Sequence, residues 1–124
     1  MKLWTIQLGQ WRVAKERNIP MVNTTVMSGL SWLAPTWEMV KGHKANILSD
    51  EQYTARFITL MTDSQLNHRE LWLELAKQEE VALACYCRAG AFCHRRLLVD
   101  DFQVFCEKEG IEFTYMGELT KGLS

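Results

Sequence analysis

The stretch that most constrains the fold is residues 81–101. Val81, Ala82, Leu83, Ala84 and Cys85 form an unbroken apolar run, the pattern of a strand buried on both faces. Gly90 then marks a tight loop, and from Cys93 the apolar residues recur at helical spacing. A buried strand, a glycine loop and a helix in that order belong to a parallel sheet covered by helices. The same stretch gathers Cys85, Cys87, Arg88, Cys93, His94, Arg95 and Arg96, so the chemistry of the chain is expected there.

Residues 2–8 carry Trp4, Ile6 and Leu8 in weak alternation and read as a first strand ending at Gly9. A polar, helix-compatible piece at 10–18 leads to a β-branched segment at 19–27, read as a second strand that tolerates Pro20 at its start. Residues 28–44 contain Gly29, Pro35 and Gly42 among bulky Trp32, Leu33, Trp37 and Met39, and are expected to be an irregular loop, either a lid or a structural flap. Ser49 and Gln52 have the form of a capping box, and Tyr53, Phe57, Leu60 and Met61 follow on one helical face. A second start at Ser64 introduces a helix over 66–78, with Leu71, Trp72, Leu75 and Ala76 inward and His68 capping that face.

The strand at 81–86 is followed by a helix over 93–109, whose Leu98, Phe102, Phe105 and Cys106 share a face and make Cys106 a core residue. Gly110 is placed to end that helix, residues 111–116 alternate as a last strand, and the tail beyond Gly117 is expected to be loose. The predicted fold is a single three-layer α/β domain over 1–124, with a small, mainly parallel sheet of about four strands flanked by helices. Sites in such sheets lie beyond the carboxyl ends of the strands. If the third strand neighbours the first, Gln7, Gly9, Gln10 and Trp11 face the same crevice as the cysteine loop.

The chain of 124 residues has a formal net charge of -1, which argues against a general nucleic-acid binder. No apolar run reaches membrane-spanning length and no leader precedes the first strand, so a cytoplasmic protein with reduced thiols is expected.

The loop after the third strand points backbone N–H groups and a helix N-terminus toward one place, with Arg88, Arg95 and Arg96 nearby, which outlines an anion site. A cysteine there is activated by the same groups. Three chemistries fit. Cys87 or Cys93 is a nucleophile, with His94 beside it; the order Cys87-Arg88-Ala89-Gly90 is similar to the start of the active-site loop of rhodanese-like sulfurtransferases. A cysteine phosphatase is disfavoured, because the arginine six positions on is replaced by Cys93 after Cys87 and by Ala91 after Cys85. Alternatively Cys85, Cys87, Cys93 and His94 hold a metal in a metal-stabilised interaction module, although the spacing lacks the usual paired knuckles and no metal ligand is assigned from it. In the third reading the loop binds a nucleotide-like or phosphorylated ligand without turnover, with Gly90 in the anion loop and Trp32 and Trp37 as a stacking wall.

The Cys93-His94-Arg95 signature after a strand and a preceding cysteine, with the upstream Leu33-Ala34-Pro35-Thr36-Trp37 segment and the Tyr53 helix, resembles the YeaO-like family, domain of unknown function 488, in the form found in bacteria and their phages. The resemblance covers most of the chain and implies a small α/β domain with Cys85, Cys93, His94 and Arg95 as the matching positions; it brings no reaction or cofactor with it. Where relatives carry an Asp and an Arg at the end of the second strand, this chain has Asn23-Thr24-Thr25. The expectation is therefore an anionic, nucleotide-like ligand bound at Gln7, Gly9, Trp11, Trp32, Trp37, Arg88, Gly90, Arg95 and Arg96, with cysteine chemistry at Cys87, Cys93 and His94.

Overall fold

The computed structural model describes residues 1–87 and 91–121. Four strands, β1 (Lys2–Gln7), β2 (Met21–Asn23), β3 (Glu80–Cys85) and β4 (Thr114–Leu119), form one all-parallel sheet in the order β2-β3-β1-β4. The apolar run of β3 lies second in that order, and Val81 to Cys85 are all buried, which is why it shows no alternation.

Five helices cover the sheet: α1 (Trp11–Glu16), α2 (Trp37–Lys44), α3 (Asp50–Asn67), α4 (Arg69–Ala76) and α5 (His94–Glu109). On one face Ala14 of α1 packs with Trp4, Ile6, Ala82, Ala84 and Leu119. On the other, α2 to α5 bury Phe57, Trp72, Leu98, Phe102 and Phe105 against Leu3, Val81 and Leu83. This is the three-layer arrangement. The crossover from β1 to β2 and that from β3 to β4 run in opposite directions across the sheet, so one handedness requires their helices on opposite faces, as found.

The capping box is real: Gln52 N donates to Ser49 Oγ at 3.1 Å and Ser49 N donates to Gln52 Oε1 at 2.9 Å. Gly110 ends α5 at φ 69°, a left-handed position that favours glycine. Other expectations are corrected. The second strand spans only Met21–Asn23, because the Asn23 side chain accepts from Thr25 N and Leu30 N returns to Asn23 O, curling the chain out of the sheet. The expected loop at 28–44 contains a 3-10 turn at Ser31–Leu33 and the helix α2, which Thr36 caps by accepting from Met39 N.

Ser64 starts no helix. It lies buried inside α3, donates to Trp32 O and accepts from Trp72 Nε1, and the break between α3 and α4 falls at His68. The last strand is Thr114–Leu119, shifted along the chain by a bulge at Met116 that lets Trp4 pair with Gly117. Glu118 and Leu119, expected in a loose tail, are thus part of the sheet.

Candidate functional site

The carboxyl ends of β2 and β3 and the start of α5 enclose one side of a cavity of about 220 Å³; α2 and Tyr53 of α3 enclose the other. Its walls are mainly apolar, with Val26, Met27, Pro35, Trp37, Val40 and Phe92 among the lining residues. The ring of His43 packs on Tyr53 and Phe92 at 5.3 and 5.0 Å and is anchored to Asp50 at 2.5 Å. Trp37, Met27 and Tyr86 are exposed at the mouth, and Lys44 lies on the same rim.

The floor is different. Buried Cys85, Cys93 and His94 form it, with exposed Cys87 also in the lining, bringing three sulfurs and an imidazole to an otherwise apolar space. Local sequence explains the convergence: β3 delivers Cys85 to the carboxyl end of the sheet, and the chain returns at Cys93, whose extended backbone opens α5. The ligating atoms of Cys85, Cys93 and His94 lie within 4.8 Å of one another. Cys87 is the exposed sulfur of the four cysteines; Cys85, Cys93 and Cys106 are buried.

Polar partners fix this floor tightly. The Thr24 hydroxyl spends its proton on Ala84 O at 2.9 Å, so toward His94 Nε2, at 2.9 Å, its oxygen can only accept. The Thr24 carbonyl, 2.8 Å from the same nitrogen, is also an acceptor. Nε2 therefore carries a proton. Burial lowers the His94 pKa, keeping the ring neutral, and its bare Nδ1 faces Cys93 Sγ at 3.6 Å.

The neighbouring Cys85 and Cys93 thiols, joined by the charges of Arg95 and Lys44, hold Cys87 well below the usual thiol range. The same sulfur network, together with burial, pushes Cys93 up. Burial also raises the Tyr53 phenol, which stays a neutral hydroxyl in the wall.

Arg95 is 2% exposed, and four of the five N–H donors of its guanidinium are engaged. It pairs with Glu118 through Nε at 3.3 Å and NH2 at 2.9 Å, while NH1 donates to Cys85 Sγ at 2.7 Å and to Cys87 O at 2.8 Å. Rather than projecting toward a ligand, Arg95 ties the ends of β3 and β4 to the start of α5.

Of the residues predicted for the site, the structure brings Cys87, Cys93, His94 and Trp37 to the cavity. It places others elsewhere. Gln7 does neighbour Cys85 in the sheet, but its side chain reaches Tyr86 O at 3.5 Å and does not line the cavity. Gly9 and Trp11 turn away into a 3-10 turn and α1, where Arg12 and Lys15 lie over the Trp11 ring. Trp32 packs edge-on to Trp72 at 6.0 Å, inside the helical layer. Arg96 stacks over Tyr115, 4.7 Å from its ring centroid, on the β4 side. Arg88 and Gly90 lie outside the described residues.

Sequence reading missed Thr24, Thr25, Tyr53, Phe92, His43 and Lys44 as parts of the site. Only the Thr36 cap after Pro35 could have signalled α2 and hence its inward-facing residues.

A family model described as the active DUF488-N3 subclade matches residues 5–104. The chain belongs to the DUF488 family. The matched span includes every residue named on the DUF488 floor, Thr24 among them, and stops short of Glu118, the partner of Arg95. No curated protein and no solved structure matches the chain.

Proposed function

We propose that this DUF488 protein is a cysteine-dependent enzyme acting on a small, ring-bearing anionic molecule of nucleotide-like chemistry. The observation that carries the reading is the position of Cys87, the exposed sulfur, in the lining of a cavity whose walls are otherwise apolar and aromatic. A nucleophile needs access and a stabilised thiolate, and Cys87 is exposed with its pKa lowered. The description of the matching subclade as active agrees with turnover.

The cavity sets the size of the ligand. A dry cavity of about 150 Å³ accepts benzene, so about 220 Å³ suits a single substituted ring or a base. Trp37 at the mouth and Phe92 in the wall offer π-faces, and Lys44 on the rim supplies the charge that an anionic substituent left outside the cavity would meet. Arg95 is no part of this recognition, since it is buried, does not line the cavity and has four of its five donors bonded within the protein. In the covalent step the Cys87 sulfur bonds to an electrophilic atom of the ligand as the bond from that atom to its leaving group breaks, the leaving group taking the electron pair.

The test is site-mapped alkylation. Iodoacetamide is expected to label Cys87 ahead of the three buried cysteines, and one or more members of a nucleoside and nucleotide panel should slow that labelling severalfold. Trp37→Ala should abolish the protection while Cys87 still labels. Labelling of Cys87 that no member of the panel slows would overturn the reading.

A further inference from the structure

We propose that Cys85, Cys93 and His94 form a binding site for a zinc-class divalent ion, with its fourth coordination position turned toward Cys87 and the cavity. The proposal rests on the same floor as the cysteine reading and names what that floor holds. Three observations converge on it.

The first is ligand geometry. Zinc takes thiolate sulfur at about 2.3 Å and imidazole nitrogen at about 2.0 Å, so a tetrahedral ion sets those two atoms about 3.5 Å apart. Cys93 Sγ and His94 Nδ1 are 3.6 Å apart. Adjacent residues achieve this because Cys93 is extended and His94 is the first residue of the helix, which turns both side chains to one side. The Cys85 sulfur is within 4.8 Å of both, and drawing it in by about an ångström would complete three sides of a tetrahedron.

The second is the state of His94. It is 7% exposed, and both acceptors at Thr24 hold the proton on Nε2, leaving the lone pair of Nδ1 aimed into the cluster. A ligating histidine is held in this way, its other nitrogen donating to a carbonyl or similar acceptor. The only donor facing that lone pair among the described hydrogen bonds is the weak S–H of Cys93.

The third is the outer shell of the sulfur. Arg95 NH1 donates to Cys85 Sγ at 2.7 Å while Glu118 neutralises the guanidinium from behind. A cation donating to a ligating sulfur offsets the negative charge that two thiolates bring to one ion. Soft sulfur with one imidazole selects zinc over magnesium or calcium, which take oxygen. Cys87 lines the same cavity on the exposed side of the three, so the fourth position is left to solvent or to a ligand in the cavity.

Native mass spectrometry of the reduced, full-length chain with one equivalent of zinc tests this. One bound ion per chain is expected, with a rise in Tm that a chelator reverses. Cobalt in place of zinc should give thiolate-to-metal charge-transfer absorption and the visible bands of a tetrahedral ion. Cys93→Ser and His94→Ala should each weaken zinc more than the 10- to 100-fold that losing an outer-shell partner costs, with circular dichroism reporting whether each is folded. Should either variant fail to fold, Cys85→Ser and the cobalt spectrum of the parent chain decide. Cys87→Ser should keep one ion.

No zinc bound by the parent chain at tenfold excess, or zinc retained undiminished by folded Cys93→Ser and His94→Ala, overturns the metal site. The two readings separate cleanly. Ligand-protected labelling of Cys87 in a chain that binds no zinc sinks the metal alone, whereas bound zinc with labelling that no ligand slows sinks the cysteine chemistry alone.

Discussion

Two ionisable residues of α5 are treated in opposite ways. Arg95 is surrounded by acceptors, whereas the half-buried Asp101 holds its Oδ2 away from solvent with no hydrogen-bond partner among the described residues. Burial, assisted by the charge of Asp100, pushes the Asp101 carboxyl up to about 7. An unfolded Asp titrates near 3.9, so the folded state binds the proton more tightly. Stability is therefore lost as pH rises from about 4 through about 7, and the loss is complete above that window. Asp101→Asn keeps the shape without the charge and should stabilise the protein by about 1–2 kcal/mol at pH 8, after allowance for partial exposure. Urea unfolding at pH 4 and pH 8 checks this: the gain should be present at pH 8 and largely absent at pH 4.

At the scale of elements, α2 supplies one wall of the cavity. Its eight residues are too few to be stable alone, and its first turn depends on Thr36, whose side chain accepts from Met39 N at 3.2 Å. Thr36→Ala should cost about 1 kcal/mol. Because Trp37, Val40, His43 and Lys44 all ride on this helix, ligand protection of Cys87 should fall in the same variant while zinc binding, which uses no residue of α2, stays constant. A denaturation curve, the alkylation assay and native mass spectrometry separate these effects. Gly29 supports the opposite wall: a Cβ there would stand 2.3 Å from Thr25 N, so the turn that presents Thr24 to His94 closes only around glycine.

Across the whole molecule, the sheet is held by its helical layer. Trp72 is fully buried between Phe102 at 4.4 Å, Phe105 at 5.6 Å and Trp32 at 6.0 Å, and its Nε1 donates to Ser64 Oγ at 3.0 Å. Trp72→Ala removes that packing and leaves Ser64 short of a partner, so it should cost about 3–5 kcal/mol, read from a shift of the urea midpoint. The site lies at the other end of the core, and a folded Trp72 variant should keep its zinc. No described helix is long and apolar enough to cross a membrane.

What could be read from the sequence was whatever depends on neighbours along the chain. The apolar run of β3, the Ser49 capping box, the Gly110 stop and the face shared by Leu98, Phe102, Phe105 and Cys106 follow from local periodicity and local hydrogen bonding, and they specify the three-layer α/β class. The concentration of sulfur between Cys85 and Cys93 was equally plain. The partners of those groups were not, because they depend on the strand order β2-β3-β1-β4, which hydrophobic periodicity does not encode. That order sets Thr24, 70 residues away in sequence, against His94, and so decides which imidazole nitrogen is free. It also places Glu118 against Arg95, which turns an expected ligand-binding arginine into an internal clamp. The sequence by itself determined the fold class, the long elements β3 and α5 and where the sulfur lies along the chain; tertiary structure decided which sulfur is exposed and which side chains meet, since a buried polar group takes its partners from whatever the fold brings within about 3 Å.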